Sequence, residues 1–134
     1  MELHRGRLFD HVHIHVRDLE ASKRFYRAIF SVFGIPFGGD TPDHFWADEL
    51  WVDARPGPQT SNLHFALQSP DRAHVDKFYK AGLEAGGRDN GAPGERSYHP
   101  GYYAAFLFDP DGNNIEAVHH GPMQRSAASV VIKA

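Results

Sequence analysis

The stretch HVHIHVRDLEASKRFYRAIFSVFG, residues 11–34, recurs in diverged form as HFALQSPDRAHVDKFYKAGLEAGG, residues 64–87. Six positions are identical at an offset of 53, whereas ordinary residue usage gives about one or two identities over such a length. The chain therefore contains two copies of one module, and equivalent residues are expected to occupy equivalent positions. The identical pairs are His11 and His64, Asp18 and Asp71, Phe25 and Phe78, Tyr26 and Tyr79, Ala28 and Ala81, and Gly34 and Gly87.

Each copy begins with a strand pattern and continues as a helix pattern. In the first copy Val12, Ile14 and Val16 alternate with histidines, which is typical of a strand with two unlike faces. The apolar residues that follow recur at helical spacing, and Asp18 and Asp71 stand where an N-terminal cap is expected. The sequence therefore predicts a strand followed by a capped helix in each half.

Short strands separated by Gly, Pro and Asp follow each helix. The segment 109–112, Asp-Pro-Asp-Gly, has the composition of a turn that joins two paired strands. Each half is thus predicted to be βαβββ, and two halves this small must pack together to bury their apolar faces. The predicted fold class is α+β, with the two modules forming a curved mixed sheet, helices outside and a metal cleft inside. The predicted strands of this kind are 35–39, 43–48, 49–55, 102–108 and 113–119.

The length of 134 residues predicts a single domain covering residues 1–134. Module one is expected over about 7–56 and module two over about 61–120. Residues 121–134 are interpreted as a tail able to add a short strand in an oligomer. Residues 88–101, RDNGAPGERSYHPG, are interpreted as a long loop, a kind of segment that is more often functional than idle.

Composition excludes several classes of protein. The hydrophobic share of 41%, the charged share of 23% and the net charge of −3 are typical of a globular domain and argue against nucleic-acid binding. No stretch has the length and apolarity of a membrane span, and the N-terminus lacks the apolar core of a signal peptide, so a cytoplasmic protein is expected. The absence of cysteine leaves only nitrogen and oxygen atoms as metal ligands.

The face assignments bring candidate ligands together. His11, His13 and His15 point away from the helix on the first strand, His64 does so on the repeat strand, and Glu116 does so on the last strand. Three strands then aim imidazole and carboxylate groups at one cleft, which is a common ligand set for divalent metals. The repeat singles out His11 and pairs it with His64, and these two histidines with Glu116 form the predicted metal site. His13 and His15, whose equivalents in the second copy are Ala66 and Gln68, are expected to line the cleft or the surface.

Three motifs resemble a known superfamily over about residues 8–120. They are FDHVHIHVRDLEASKRFY, LHFALQSPDRAHVDKFY and FLFDPDGNNIEAV, and they resemble the vicinal oxygen chelate superfamily, also called the glyoxalase, bleomycin-resistance and extradiol dioxygenase family. The resemblance implies paired βαβββ modules, frequent assembly as homodimers, and a divalent metal ion (Zn, Mn, Fe, Co or Ni) held by His11, His64 and Glu116. Whether the modules pair within one chain or between two chains stays open.

The first module departs from the pattern of a four-ligand site. Matching Leu50 to Ile115 puts Trp51 at the position equivalent to Glu116, and an indole does not bind a metal. Glu49 and Asp53 lie on the same face, two residues away. We expect three ligands with open positions for substrate or water; recruitment of Glu49 or Asp53 as a fourth ligand is the alternative.

Aromatic and histidine side chains near the cleft are candidates for substrate binding. His13, Trp51, His99 and Tyr103 are predicted to contact the substrate, and Glu116 is predicted to take part in catalysis as well as in metal binding. A Tyr or His at the junction between the loop and the next strand could act as a general acid or base. The alternative for the same aromatic residues is ordinary packing.

The resemblance implies a reaction class and leaves the reaction open. The expected function is a metal-dependent lyase, isomerase or transferase that chelates neighbouring oxygens of a small substrate. An Fe(II)-dependent dioxygenase is an alternative, although Phe106 stands where such enzymes usually have a tyrosine. A non-catalytic, drug-sequestering protein of the same fold is the other alternative, and retention of His11, His64 and Glu116 argues against it. No nucleic acid or membrane partner is expected.

Overall fold

Two βαβββ modules make up most of the computed structural model, which describes residues 2–5 (backbone only) and 8–133. The predicted boundaries at residues 1, 7 and 134 lie outside the described residues. The elements, in chain order, are β1 Glu2–Arg5, β2 Val12–His15, α1 Leu19–Val32, β3 Gly39–Asp40, β4 His44–Ala47, β5 Leu50–Asp53, β6 His64–Gln68, α2 Arg72–Glu84, β7 Arg88–Glu95, β8 Tyr103–Phe108, β9 Asn114–His119 and β10 Val130–Lys133.

Each module forms its own four-stranded mixed sheet. The strand order is β2-β5-β4-β3 in the first sheet and β6-β9-β8-β7 in the second. In each sheet the first pair is parallel and the other pairs are antiparallel. The α+β class and the two predicted modules are confirmed. The two sheets are not joined by strand pairing in the described part of the chain, and β2 and β6 each lie at a sheet edge.

The internal repeat extends to the register of the strands. In the first module Val12 pairs with Leu50, and in the second module Phe65 pairs with Ile115. Val12 and Phe65 are equivalent at the offset of 53, so their partners are equivalent too. The predicted match of Leu50 to Ile115 is therefore confirmed by the pairing of the strands.

Both helices begin at the predicted aspartates. The side chain of Asp18 accepts a hydrogen bond of 3.1 Å from the backbone N–H of Ala21, and that of Asp71 accepts one of 2.8 Å from His74. Each bond satisfies one of the N–H groups that the first turn of a helix leaves without a partner. The caps thus fix where each helix starts relative to the strand before it.

One hydrophobic core joins the two modules. Phe25, Tyr26 and Ile29 of α1 are fully buried, and the same core includes Val52 from the first sheet and Leu107 from the second. The helices also pack against each other. Each helix covers one face of a sheet, and the opposite face carries polar and aromatic side chains, such as His13 and Trp51 in the first sheet. Neither helix has the length and apolarity needed to cross a membrane.

The interpretation of residues 88–101 as a loop is wrong for its first part. Residues Arg88–Glu95 form β7, the outermost strand of the second sheet, and its pairing with β8 shifts register twice, between Asp89 and Gly91 and between Gly91 and Gly94. An edge strand tolerates Pro and Gly because one of its sides needs no hydrogen-bonding partner, and bulges absorb the extra residues. Local composition therefore concealed a strand that the neighbouring strand stabilises.

The other short strands are shorter than predicted. In the first module the strand predicted at 35–39 is only two residues long, Gly39–Asp40, and it ends one residue later than predicted. The strand predicted to begin at residue 49 begins at Leu50, after a turn in which Asp48 has a φ of 48°. The tail also differs, because β10 pairs antiparallel with β1 of the same chain. The two ends of the chain thus form a separate two-stranded sheet that the sequence did not predict.

Candidate metal-binding and active sites

His13 and His15 project from the same face of β2 toward Asp53 on β5. Nε2 of His13 lies 2.9 Å from Oδ2 of Asp53, and Nδ1 of His15 lies 2.6 Å from Oδ1. Ile14, between the histidines, is only 1% exposed and packs in the core. The strand alternation thus directs both imidazoles away from the helix layer, as predicted.

The Asp53 carboxylate is held in its ionised form by three partners. Arg55 also contacts it, with Nη2 at 2.7 Å from Oδ2. Burial of the carboxyl opposes ionisation, but the hydrogen bonds from Arg55, His15 and His13 outweigh it and lower the pKa of Asp53 to about 2. Asp53 is therefore a fixed negative charge on this face of the first sheet.

Glu116 occupies the corresponding face of the second sheet. It is 3% exposed, and its Oε1 lies 2.9 Å from Nε2 of His64. Its other oxygen, Oε2, accepts a hydrogen bond from the hydroxyl of Tyr102. The side chain of His64 is 51% exposed, so the buried carboxylate contacts an imidazole that is itself accessible to solvent.

Tyr102, and not Tyr103, contacts the Glu116 carboxylate. The hydroxyl of Tyr103 donates to Oδ1 of Asp76 on α2 at 2.6 Å, on the helix side of the sheet. The alternation from Tyr103 through Leu107, which is fully buried against the helices, was a signal in the sequence for this arrangement. Burial and the neighbouring Glu116 raise the pKa of Tyr102, so its phenol is a neutral hydrogen-bond donor at physiological pH.

His99 is connected to Glu116 through Tyr102, whose ring it contacts. Its Nε2 is 2.8 Å from Nδ1 of His120, and the two rings stack. Both imidazoles meet the ring of Tyr102 edge-on, with centroids at 5.4 Å for His99 and 5.0 Å for His120. His99, a predicted substrate contact, is thus exposed and lies against Tyr102, which donates to Glu116. His120 lies against the same tyrosine and was not among the predicted substrate contacts.

Trp51 lies across from His13 on the neighbouring strand and two residues before Asp53. It is the direct strand partner of His13, and its ring stacks on that of His44 with centroids 4.4 Å apart. The pairing of Leu50 described above gives Trp51 the position equivalent to Glu116. The first module therefore presents an aromatic surface where the second module presents a carboxylate.

His11 is separated from the other two predicted metal ligands. It precedes β2, its side chain is 64% exposed, and its Nδ1 lies 2.8 Å from Oδ1 of Asp10. Across the described residues, only His13, His15 and Asp53 form a group of three possible ligands whose atoms all lie within 4.8 Å of one another. One chain therefore brings His64 and Glu116 together and leaves His11 apart from them.

The cluster of His13, His15 and Asp53 combines residues that the sequence had placed on one face without joining them. Sequence reasoning treated the histidines as cleft lining and Asp53 as an alternative fourth ligand. The parallel pairing of β2 with β5, which makes His15 and Asp53 direct partners, is the missing information. No local pattern in the sequence specifies which strand lies beside β2.

The model of the Glyoxalase/Bleomycin resistance protein/Dioxygenase superfamily matches residues 8–117. The chain belongs to this superfamily. A glyoxalase/bleomycin resistance protein from Albidiferax ferrireducens T118 is 35% identical to this superfamily member, with a TM-score of 0.70, and the match covers 84% of this chain and 98% of that one. The resemblance inferred from the three motifs is therefore confirmed.

Two solved structures of lower sequence identity share the fold. A lactoylglutathione lyase from Agrobacterium tumefaciens is 20% identical, with a TM-score of 0.60 and coverage of 84% of this chain and 92% of that one. The oxidase ChaP-H2 is 21% identical, with a TM-score of 0.59 and coverage of 84% and 92%. No functionally curated protein matches the chain. At these identities the two solved structures show the fold alone.

Proposed function

We propose that this protein is a metal-dependent enzyme of the glyoxalase superfamily, a lyase, isomerase or transferase that acts on a small molecule with neighbouring oxygen atoms. The proposed ligands of its divalent metal are His11, His64 and Glu116. The observation that carries the proposal is the contact between the buried carboxylate of Glu116 and Nε2 of His64, at 2.9 Å.

The donor atoms of His64 and Glu116 suit a first-row divalent metal. A buried carboxylate is costly unless it is paired, and here one oxygen meets the imidazole while the other accepts from Tyr102. Imidazole nitrogen with carboxylate oxygen is a ligand set that Zn, Mn, Fe, Co and Ni all accept. When bound, such an ion polarises substrate oxygens and stabilises negative charge that develops on them.

A second copy of the chain is the proposed source of His11. Within one chain His11 does not join His64 and Glu116 in a group of ligands. His11 directly precedes β2 and His64 is the first residue of β6, and these two strands lie at the edges of separate sheets. A twofold dimer that sets module one of each copy against module two of the other would create two identical sites. The proposed assembly is therefore a homodimer whose modules pair between chains.

The other residues around the proposed site orient the Glu116 carboxylate or contact the substrate. Tyr102 orients Glu116 as a neutral donor, and Glu116, besides binding the metal, is the proposed proton acceptor in the reaction. His13 and Trp51 on the first sheet, and His99 near Tyr102, are the proposed substrate contacts. Tyr103, whose hydroxyl is bonded to Asp76, is the least favoured of the substrate contacts proposed from the sequence.

Metal analysis of matched variants tests this function. We expect His64→Ala and Glu116→Gln each to hold one equivalent of metal per chain less than wild type. His74→Ala should hold as much metal as wild type, because this imidazole is paired with the cap residue Asp71. Metal-loaded wild type would then be assayed with hemithioacetal, α-ketoacid, catechol and epoxide substrates. Sedimentation should give a dimer, and His11→Ala should reduce the metal content as His64→Ala does.

Two results would redirect the proposal. Turnover of a catechol only by the Fe(II)-loaded protein would favour the dioxygenase alternative, because two imidazoles and one carboxylate are also the ligands of non-haem Fe(II) oxygenases. A wild type that holds no metal and cannot be reloaded would contradict a metal-dependent enzyme, and would favour a protein that only binds a small molecule.

A further inference from the structure

The first sheet carries a ligand cluster of its own, formed by His13, His15 and Asp53. We infer that these three side chains form a second binding site for a divalent first-row transition metal, distinct from the pair His64 and Glu116. The inference does not depend on the proposed function, because none of its three residues is among the metal ligands proposed there; only His13 is shared, as a proposed substrate contact. It concerns binding of the ion itself, with water completing the coordination.

The three donor atoms are already near the separation that a metal requires. They lie within 4.8 Å of one another, and the Asp53 oxygens are 2.9 Å from Nε2 of His13 and 2.6 Å from Nδ1 of His15. Ligand atoms at about 2.0–2.2 Å from a tetrahedral ion are roughly 3.3 to 3.6 Å apart. Small rotations of the side chains would open the hydrogen bonds and admit the ion between the same atoms.

The backbone that carries the cluster is fixed on both strands. Ile14 and Val52 alternate with the ligands and are 1% and 0% exposed. The backbone of His15 is further held by Thr60, whose Oγ1 accepts from the N–H of His15 at 2.9 Å and whose own N–H donates to the carbonyl of His15 at 2.8 Å. Ligands on packed strands keep their geometry better than ligands on loops.

The cluster is partly shielded and open on one side. The side chains of His13, His15 and Asp53 are 34%, 33% and 15% exposed. The carboxylate is therefore largely removed from water, which strengthens its attraction for a cation. The imidazoles remain accessible, so an ion can enter from solvent and keep water in its open positions.

Arg55 is the group that competes with a metal for Asp53. Its Nη2 lies 2.7 Å from Oδ2, and its side chain is 55% exposed, so the guanidinium can move into solvent when a divalent ion binds. The effect of Arg55 on metal affinity therefore distinguishes a metal site from a hydrogen-bonded cluster with a purely structural role. Removal of Arg55 should tighten metal binding, because the carboxylate then loses a competing cation.

Zn²⁺ titration by calorimetry tests the second site in the His64→Ala protein, whose exposed imidazole is removed to disable the first site without disturbing the core. We expect this protein to bind one equivalent of Zn²⁺ per chain. Adding His13→Ala, His15→Ala or Asp53→Asn should weaken that binding by roughly tenfold or more, and adding Arg55→Ala should tighten it. His74→Ala in the same background is the control and should leave the affinity unchanged.

Co²⁺ absorption spectra provide a second readout that does not require the Asp53 variant to fold. Ligand-field bands should appear in the His64→Ala protein and disappear when His13→Ala and His15→Ala are added, with circular dichroism confirming the fold. An absence of Zn²⁺ binding in the His64→Ala protein, or binding that survives removal of both histidines, would overturn the inference. If His64→Ala leaves the metal content equal to that of wild type while the His13 and His15 variants lower it, the proposed function fails and the second site stands.

Discussion

The hydroxyl of Tyr26, in α1, donates a hydrogen bond of 2.6 Å to Oδ2 of Asp109, in the turn between β8 and β9. Both side chains are buried, and they belong to different modules. Oδ1 of the same carboxylate accepts from the backbone N–H groups of Asp111, at 2.9 Å, and Asn113, at 2.8 Å. The turn that leads into the strand of Glu116 is thus fixed to the helix of the other module.

Replacing Tyr26 by Phe removes this bond with little change in volume. We expect the free energy of unfolding to fall by about 1.5 to 3 kcal/mol, the usual range for a hydrogen bond to a charged group. Denaturant unfolding followed by circular dichroism measures the change. Tyr79→Phe is the matched control, because Tyr79 is the repeat equivalent and its bond to Asp89, at 2.9 Å, is exposed. Equal losses in the two variants would contradict the structural role of Tyr26.

The bond from Tyr102 to Glu116 predicts an effect on metal affinity. Removing a residue that orients a metal ligand typically lowers affinity by about 10- to 100-fold, and we expect Tyr102→Phe to do so for the metal lost in His64→Ala. Tyr103→Phe is the matched control, since its hydroxyl bonds to Asp76 on the helix side. Competition titration with a chromogenic chelator gives both affinities. An unchanged affinity in Tyr102→Phe would remove this tyrosine from the site.

Gly82 marks a close approach between α2 and the second sheet. A Cβ added there would lie 2.2 Å from Cδ1 of Leu107, which is fully buried. Alanine favours helix over glycine by about 1 kcal/mol, yet we expect Gly82→Ala to destabilise the protein by about 1 to 3 kcal/mol because the core is overpacked. Thermal or denaturant unfolding tests the sign.

A double variant identifies the cause of that destabilisation. Leu107→Ala alone leaves a cavity and should also destabilise the protein. If the clash is responsible, adding Gly82→Ala to Leu107→Ala should cost much less than it does in wild type. Additive losses in the double variant would mean that the contact between the two positions is not the source of the effect.

The ion pair between Lys23 and Asp40 predicts a dependence of stability on pH. Nζ of Lys23 lies 2.7 Å from Oδ1 of Asp40 and donates to the carbonyl of Thr41 at 2.6 Å. Its hydrogen bond, with a further one from Arg27, lowers the pKa of Asp40 below the ordinary value of 3.8. A carboxyl whose pKa is depressed by folding stabilises the folded state above its unfolded pKa and loses that effect as the pH falls through the folded value.

We therefore expect the stability difference between wild type and Asp40→Asn to be constant near neutral pH and to shrink below about pH 4. Added salt should also reduce it, because the pair is partly exposed. Urea unfolding at several pH values measures the difference, with Asp43→Asn, an exposed residue of the turn after β3, as the control. A difference that stays the same between pH 6 and pH 3 would show that the pairing contributes through packing and not through charge.

The sequence by itself determined the modules and the faces of their strands. The repeat at an offset of 53 predicted two copies of one unit, and the alternation around Ile14 and Ile115 put His13 and Glu116 on the face away from the helices. The caps at Asp18 and Asp71 followed from residue type and position. These features are local, because side-chain direction and capping depend only on residues a few positions apart.

The tertiary structure decided which side chains meet. Strand alternation assigns a residue to a face but does not name the strand beside it, so the contacts of His15 with Asp53 and of Tyr102 with Glu116 could not be derived from periodicity. The same reason explains β7, since a strand rich in glycine is stabilised by its neighbour and not by its own residues. The position of His11, apart from His64, is likewise set by how the modules pack, which no local pattern specifies.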